Sequence, residues 1–152
     1  MKLFLKKCPG ISEPEVEIRY SERTEAIDNL VRAVNQSSDT IFGIKENGDR
    51  EMIYITGILY FEAVDRDVFA YRAQGVYRVR STLYELEEEL RDRFFVRISK
   101  SVIVNIKAVS SISPEDSRRV KLRLNNGEYL IVSRGYVSDF REAIGMKGGR
   151  SK

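Results

Sequence analysis

Three glycine-containing turns divide the chain between residues 41 and 133 into short alternating segments, and this feature constrains the fold most. Asn47-Gly48, Gln74-Gly75 and Asn126-Gly127 each lie between two runs in which apolar and polar residues alternate. Glycine tolerates the positive φ angles that tight hairpins require, and alternation is typical of a strand with one buried face. The sequence therefore predicts a mostly β domain of antiparallel hairpins.

Only short helices are predicted beside these strands. Thr82 and Glu85 have the spacing of a capping box, which starts a helix whose buried face is Leu83, Leu86 and Leu90. Ser133 is predicted to cap a last helix, which ends near Gly145. The two helices are far apart along the chain, which argues against a helix-turn-helix. Loops are predicted at residues 62–67 and 113–116.

Residues 1–40 are predicted to form a small strand–helix extension. Val16, Ile18 and Tyr20 alternate with charged residues, and the apolar stripe of the helix is Ile27, Leu30, Val31 and Val34. About 40 residues are too few for a core of their own. The extension either packs against the main domain, residues 41–147, or pairs with a second copy, and we favour a homodimer. Residues 148–152 are predicted to be a basic tail.

Composition excludes several classes of function. The chain has no histidine and one cysteine, Cys8, so His-based catalysis and His or multi-Cys metal sites are excluded. There is no glycine-rich phosphate loop, and the acidic run at residues 85–89 reads as a solvated helix face. We therefore expect no enzyme, cofactor, metal or small-molecule substrate. No apolar run has the length of a membrane span, and a single cysteine fits the reducing cytoplasm.

Positive charge is concentrated in the last third of the chain. Residues 93–152 carry 13 basic and 5 acidic side chains, a net charge of +8, whereas residues 41–92 carry 7 and 11, a net charge of −4. A basic segment of this kind indicates a polyanionic partner. A contribution to solubility alone is the alternative.

The basic third begins with an unusual stretch, from Phe94 to Ile106. Its second half alternates as a β-branched strand, and Asn105 at its end is expected to hold the strand end in place. Arg97, Ser99, Lys100 and Ser101 lie where the apolar pattern is interrupted. Cations and small hydroxyls are the donors that phosphates and base edges accept. The alternative is a solvated strand edge.

The run from Phe94 to Asn105 resembles the signature of the LytTR family of bacterial DNA-binding domains. Leu83-Tyr84-Glu85-Leu86 upstream and Val132-Ser133-Arg134 downstream stand in the order that the family has them. The resemblance covers roughly Ile41 to Gly145. It implies elongated antiparallel β-sheets that read DNA with loops instead of a recognition helix. Residues 1–40 are too few for the receiver domain common in this family, so a stand-alone regulator is expected.

The resemblance also implies which residues contact DNA. Matched to the family pattern, the groove contacts fall at Arg66, Lys100 and Arg134, and Arg134 is suited to bidentate bonds with guanine. Phosphate contacts are expected from Arg97, Ser99, Ser101, Lys121 and Ser133. Two alternatives stay open: Arg66 forms only a surface ion pair with Asp65 or Asp67, and Arg134 only starts a helix at the surface.

The function expected from these observations is sequence-specific binding of double-stranded DNA by a transcriptional regulator. A β-rich RNA-binding or protein-interaction module is the alternative. Exposed aromatic residues interleaved with cations would favour RNA. Tyr71, Tyr77, Phe94 and Phe95 mostly fall in the buried register of the predicted strands, which favours DNA.

Overall fold

The structure is a computed structural model that describes residues 1–11, 15–38 and 40–145. The chain divides into two compact units, Met1–Ser37 and Ser38–Lys152. The basic tail predicted at residues 148–152 lies outside the described residues. None of the described helices is long and apolar enough to cross a membrane.

The first unit contains the predicted helix but not the predicted strand. Helix α1 spans Glu25–Ser38, and Thr24 Oγ1 accepts a hydrogen bond from the amide of Ile27 at 3.4 Å near its start. The strand predicted around residues 16–20 is wrong, because residues 15–20 have no strand structure and are almost all exposed. A strand is stable only when its backbone groups pair with a neighbour.

The second unit, over residues 40–145, contains ten strands, two helices and several 3₁₀ turns. The strands are Thr40–Ile44 (β1), Arg50–Tyr54 (β2), Ile58–Val64 (β3), Asp67–Arg72 (β4), Gly75–Val79 (β5), Phe95–Arg97 (β6), Val102–Asn105 (β7), Val109–Glu115 (β8), Arg119–Leu124 (β9) and Tyr129–Val132 (β10). The helices are Leu83–Glu89 (α2) and Val137–Ala143 (α3), and a 3₁₀ turn, Arg134–Tyr136, precedes α3.

All strand pairs are antiparallel, in two sheets. The larger sheet has the order β2-β1-β5-β4-β3-β7-β6, and the smaller has the order β10-β9-β8. The three predicted hairpins are confirmed by the pairing of β1 with β2, β4 with β5 and β9 with β10. Gly48 and Gly127 have φ angles of +92° and +91° at their turns, whereas Gly75 begins β5 and has no positive φ angle. The mostly β fold predicted from the turns is therefore confirmed.

The larger sheet is buried on both faces where β3 and β7 lie. Ile103 and Val104 are adjacent in β7 and both fully buried, yet they belong to different hydrophobic clusters. One cluster packs α2 against the sheet and includes Phe61, Leu83, Leu86, Leu90 and Phe95. The other packs the smaller sheet and α3 against the opposite face and includes Ile98, Leu122, Leu124, Val132 and Phe140. Two independent cores thus fix the centre of the sheet.

Two predicted loops are shorter than the sequence suggested. Pairing of β3 with β4 continues to Val64↔Asp67, which leaves a tight turn whose residue Asp65 has a φ of 58°. Residues 113–115 extend β8, with Pro114 opposite Val120. Proline cannot donate to a ladder, but β8 is an edge strand, where proline is tolerated. The charged residues at 62–67 and the proline at position 114 therefore led to loop predictions where β3 and β8 continue.

The two helices and Asn105 agree with the sequence. The capping box of α2 is complete: Thr82 Oγ1 accepts from the amide of Glu85 at 3.1 Å, and Glu85 Oε1 accepts from the amide of Thr82 at 2.9 Å. The buried Asn105 side chain donates to the carbonyl of Ile58 at 2.9 Å and accepts from the amide of Lys107 at 3.0 Å. Its predicted role of holding the strand end is confirmed.

Two stacked tyrosines lie beside the second core. The rings of Tyr60 and Tyr71 have centroids 4.4 Å apart and are nearly parallel. Tyr60 donates to Glu128 at 3.4 Å, and Tyr71 donates to Glu62 at 3.2 Å. Burial, and then the nearby carboxylates, raise the pKa of both phenols above the ordinary value.

This pair predicts how stability depends on pH in alkaline solution. Because the pKa of each phenol is higher in the folded chain than in the unfolded chain, where it is about 10, the stabilisation is complete below that pH and is lost as the pH rises above it. The free energy of unfolding, measured with urea between pH 8 and 11, should decline as the pH rises. This decline should be smaller in the double variant Tyr60→Phe/Tyr71→Phe. Replacing the exposed Tyr84 by Phe serves as the control, and an unchanged pH profile in the double variant would contradict the assignment.

Candidate nucleic-acid interface

The predicted site centres on the loop between β6 and β7. Ile98 is fully buried in the second core and anchors the start of this loop. Its amide donates to the carbonyl of Val102 at 2.9 Å, and the amide of Ser101 donates to Ser99 Oγ at 3.2 Å. These bonds close a short turn and leave Lys100 exposed at its tip.

Two backbone hydrogen bonds connect this loop to the other two predicted contact segments. The amide of Ala63, at the end of β3, donates to the carbonyl of Ser101 at 2.8 Å. The amide of Ser133, directly after β10, donates to the carbonyl of Ile98 at 2.9 Å. Arg66 follows in the next turn after Ala63, and Arg134 is adjacent to Ser133. Segments far apart in sequence therefore meet at one loop.

The three predicted groove residues are available to a partner. Arg66, Lys100 and Arg134 are all exposed. Within residues 40–145 their side chains make no ion pair. The alternative that Arg66 forms an ion pair with Asp65 or Asp67 is therefore wrong for the described residues. Three long cationic side chains without an internal partner are suited to phosphate oxygens or base acceptors.

Arg97 differs from these three because its guanidinium is engaged within the fold. Nε donates to the carbonyl of Ser99 at 3.1 Å, and Nη2 donates to the carbonyl of Lys100. Nη1 donates to Glu87 Oε1 at 3.1 Å, and only 21% of the Arg97 side chain is exposed. Arg97 thus clamps the backbone of the loop, with Glu87 of α2 holding the clamp. Sequence reasoning had predicted a phosphate contact here.

The remaining predicted phosphate ligands lie in different surroundings. Ser99, Ser101 and Ser133 are partly buried in or beside the loop. Ser133 precedes the Arg134–Tyr136 turn, but its hydroxyl makes no capping bond; its carbonyl accepts from the amide of Tyr136 at 2.8 Å instead. Lys121 lies on the smaller sheet, where its Nζ is 4.8 Å from the ring centre of Tyr129. The phosphate contacts of these residues stay predictions.

A cleft of about 550 Å³ adjoins the loop and contains two arginines that sequence reasoning missed. Arg66, Lys100 and Arg97 line it, together with Arg78 and Arg80 from β5 and the residue beyond its end. Arg78 and Arg80 alternate with the buried Tyr77 and Val79, so both are on the exposed face of the strand. This alternation is visible in the sequence, but the segment lies in residues 41–92, whose net charge is negative, so charge alone does not indicate a contact with a polyanion there.

Comparison with known proteins agrees with this geometry. Residues 49–145 match the LytTr DNA-binding domain family. The chain belongs to the LytTR family. It is a DNA-binding transcriptional regulator.

Individual relatives of this LytTR protein support the assignment. A solved LytTr DNA-binding domain from Bacillus cereus, described as part of a methyl-accepting/DNA response regulator, is 26% identical, has a TM-score of 0.67, and covers 71% of this chain and 98% of its own. Uncharacterized HTH-type transcriptional regulators of Staphylococcus aureus strains bovine RF122 and NCTC 8325 are each 26% identical over 148 residues, 96% of this chain and 99% of theirs.

The LytTR fold of this chain contains no helix-turn-helix in residues 40–145, despite the names of those relatives. Helices α2 and α3 are separated by five strands. A helix-turn-helix requires two consecutive helices, the second of which enters the major groove. Residues 40–145 of this LytTR domain therefore contain no recognition helix of that kind.

The clamp of Arg97 can be tested by a double-mutant cycle with Lys100. If Arg97 acts by positioning the loop, Arg97→Ala also weakens the contact that Lys100 makes with the duplex. The loss of binding free energy in the double variant should then be smaller than the sum of the two single losses by about 1 kcal/mol. The measurement is the dissociation constant of each single and double variant for one duplex. The control cycle pairs Arg97 with Lys121, where losses should add to within about 0.5 kcal/mol. Additive losses with Lys100 would show that Arg97 binds phosphate independently.

Proposed function

We propose that the chain recognises a specific double-stranded DNA sequence through three segments held at one loop: the Asp65–Arg66 turn, the Ser99–Ser101 turn and the start of the Arg134–Tyr136 turn. The observation that carries this proposal is the pair of backbone hydrogen bonds, Ala63 to Ser101 and Ser133 to Ile98. They hold the backbone close to each of the three cations against one loop, and none of these cations forms an ion pair with a described residue. Both observations support the proposal.

The three cations are suited to different kinds of contact. Arg134 presents a planar guanidinium at the surface, and this group can donate two parallel hydrogen bonds to O6 and N7 of guanine. Lys100 presents a flexible ammonium, which discriminates between bases less sharply. Partly buried hydroxyls beside them, on Ser99, Ser101 and Ser133, are better suited to phosphate oxygens.

We propose that the protein regulates by binding DNA and does not catalyse a reaction. We also propose that it acts in the bacterial cytoplasm, where the DNA lies. An RNA-binding module is supported less well. Tyr71, Tyr77 and Phe95 are buried or partly buried. Phe94 is exposed and has Lys107 Nζ 4.3 Å from its ring centre, but it lies at the opposite end of β6 from the Lys100 loop. Stacking platforms for unpaired bases require aromatic rings at the site.

Substitution of Arg134 separates base reading from general attraction. Arg134→Ala should weaken binding to a duplex selected from random DNA by about 1–3 kcal/mol and should change binding to a scrambled duplex little. Arg134→Lys is the matched control, since it keeps the charge but loses the bidentate geometry, so it should lose discrimination as well. The measurement is affinity for both duplexes across a series of salt concentrations.

Two results would contradict the proposal. Equal losses on the selected and the scrambled duplex for Arg134→Ala would remove the base-reading role of that residue. Failure of the unchanged protein to bind any duplex at about 50 mM salt, where phosphate contacts are strong, would contradict the DNA-binding mode as a whole.

We also propose that helix α1 forms a homodimer. Its Ile27, Leu30, Val31 and Val34 recur at helical spacing and are half-buried in the described structure. A unit of this size cannot bury a continuous apolar stripe by itself, and two-fold pairing would bury the stripes of two copies against each other. A dimer would also present two copies of the DNA-reading surface, which matches two half-sites in an operator.

Sedimentation equilibrium tests the dimer. The unchanged protein should sediment as a dimer at micromolar concentration, and Leu30→Glu should convert it to a monomer because the charge would be buried in the interface. Asn29→Glu makes the same charge change on the exposed face and should leave the dimer intact. A monomer for the unchanged protein would show that the idea is wrong.

A further inference from the structure

The cleft beside the Lys100 loop carries more positive than negative charge. Five cationic residues line it, against two acidic residues, Asp65 and Asp67. The guanidinium of Arg97 is already bound to Glu87 and to the loop carbonyls. Four cations without an ion pair in the described part of the chain remain, and two of them, Arg78 and Arg80, have no place in the recognition surface proposed above.

Arg78 lies in a strand at the wall of this cleft, and Arg80 directly follows that strand. The neighbouring Tyr77 and Val79 are buried in the first core. Strand β5 is paired on both sides, with Arg78 opposite Phe69 of β4 and Ile44 of β1. The backbone at Arg78, and at Val79 next to Arg80, therefore does not need to order on binding, which lowers the entropic cost of using these side chains.

The position of the cleft suggests its ligand. Arg66 and Lys100, proposed above to enter a groove of the DNA, line the same cleft as Arg78 and Arg80. A duplex that presents a groove to two neighbouring segments places a sugar–phosphate strand alongside that groove. Guanidinium groups bind phosphate in bidentate fashion, while Asp65 and Asp67 disfavour a small free anion that lacks further contacts.

We propose that the cleft is a seat for the DNA backbone, in which Arg78 and Arg80 bind phosphate without reading sequence. This proposal rests on the function proposed above, because it needs the duplex to lie across the Lys100 loop. Arg78 and Arg80 would then set the register of the duplex on the domain, while Lys100 and Arg134 read the bases.

The test uses the full chain carrying Arg78→Ala/Arg80→Ala, with affinity for the selected and the scrambled duplex measured across a salt series. Loss of two phosphate contacts should reduce the slope of log affinity against log salt by about 2. Affinity for both duplexes should fall by the same factor, on the order of tenfold or more at about 50 mM salt. Arg78→Lys/Arg80→Lys keeps the charges and should retain most of the slope. Thermal unfolding of each variant confirms that the fold is intact.

An exposed strand arginine away from the cleft provides the matched control. Arg123 of β9 is exposed, and Arg123→Ala should change the slope by clearly less than half of the change that the pair produces. Equal effects per residue would show that net charge alone is responsible and would overturn the proposal. An unchanged slope for Arg78→Ala/Arg80→Ala would also overturn it. If Arg134→Ala still abolishes discrimination in that case, the three-segment reading stands and only the cleft assignment fails.

Discussion

The proposed recognition surface depends on backbone hydrogen bonds to a single loop. The carbonyl of Ile98 accepts a hydrogen bond from the amide of Ser133, and the carbonyl of Ser101 accepts one from the amide of Ala63. The β3–β4 turn and the segment after β10 are therefore both attached to the loop between β6 and β7. Reading base edges requires donors placed to within a fraction of an ångström of their acceptors. Loops reach that accuracy only when their backbones are fixed, and here they fix one another.

The loop itself is held by the side chains of two residues, Ile98 and Arg97. The buried side chain of Ile98 anchors it in the second core, and the Arg97 guanidinium binds its carbonyls from the side. Glu87, on a helix that packs over the first core, holds that guanidinium. The central sheet lies between the two cores, so displacement of the loop would disturb packing on both faces. This arrangement connects the loop to elements on both faces of the central sheet.

Much of the fold could be predicted from the sequence because patterns within a few residues indicate where its hairpins and helices lie. Turn glycines, alternation and the Thr82–Glu85 capping box act over a few residues, and within residues 40–145 they located the hairpins and the start of α2 correctly. The strand near Val16 was predicted wrongly because alternation cannot show whether a partner strand exists. The extensions of β3 and β8 were missed because pairing overrides unfavourable local composition, as Pro114 on an edge strand illustrates.

The site was only partly predictable for a related reason. The loop around Lys100 stands out in sequence because cations interrupt an apolar run, but a cation does not reveal what it contacts. Arg97 and Lys100 are both cationic. Only the fold shows that the Arg97 guanidinium is bound within the domain and that Lys100 is exposed. Arg78 and Arg80 join the cleft beside this loop only through tertiary structure, since β4 and β3 lie between β5 and β7 in the sheet and residues of both regions line the same cleft.

Hydrogen–deuterium exchange of the free protein and of its complex with a selected duplex tests the central claim most directly. That claim is that three segments anchored to one loop form a single DNA-binding surface. Binding should slow exchange together at the amides of residues 64–67, 98–102 and 134–137 and leave the β1–β2 hairpin unchanged. Protection confined to α1 or to the outer face of β9 and β10, with those three segments unaffected, would contradict the account.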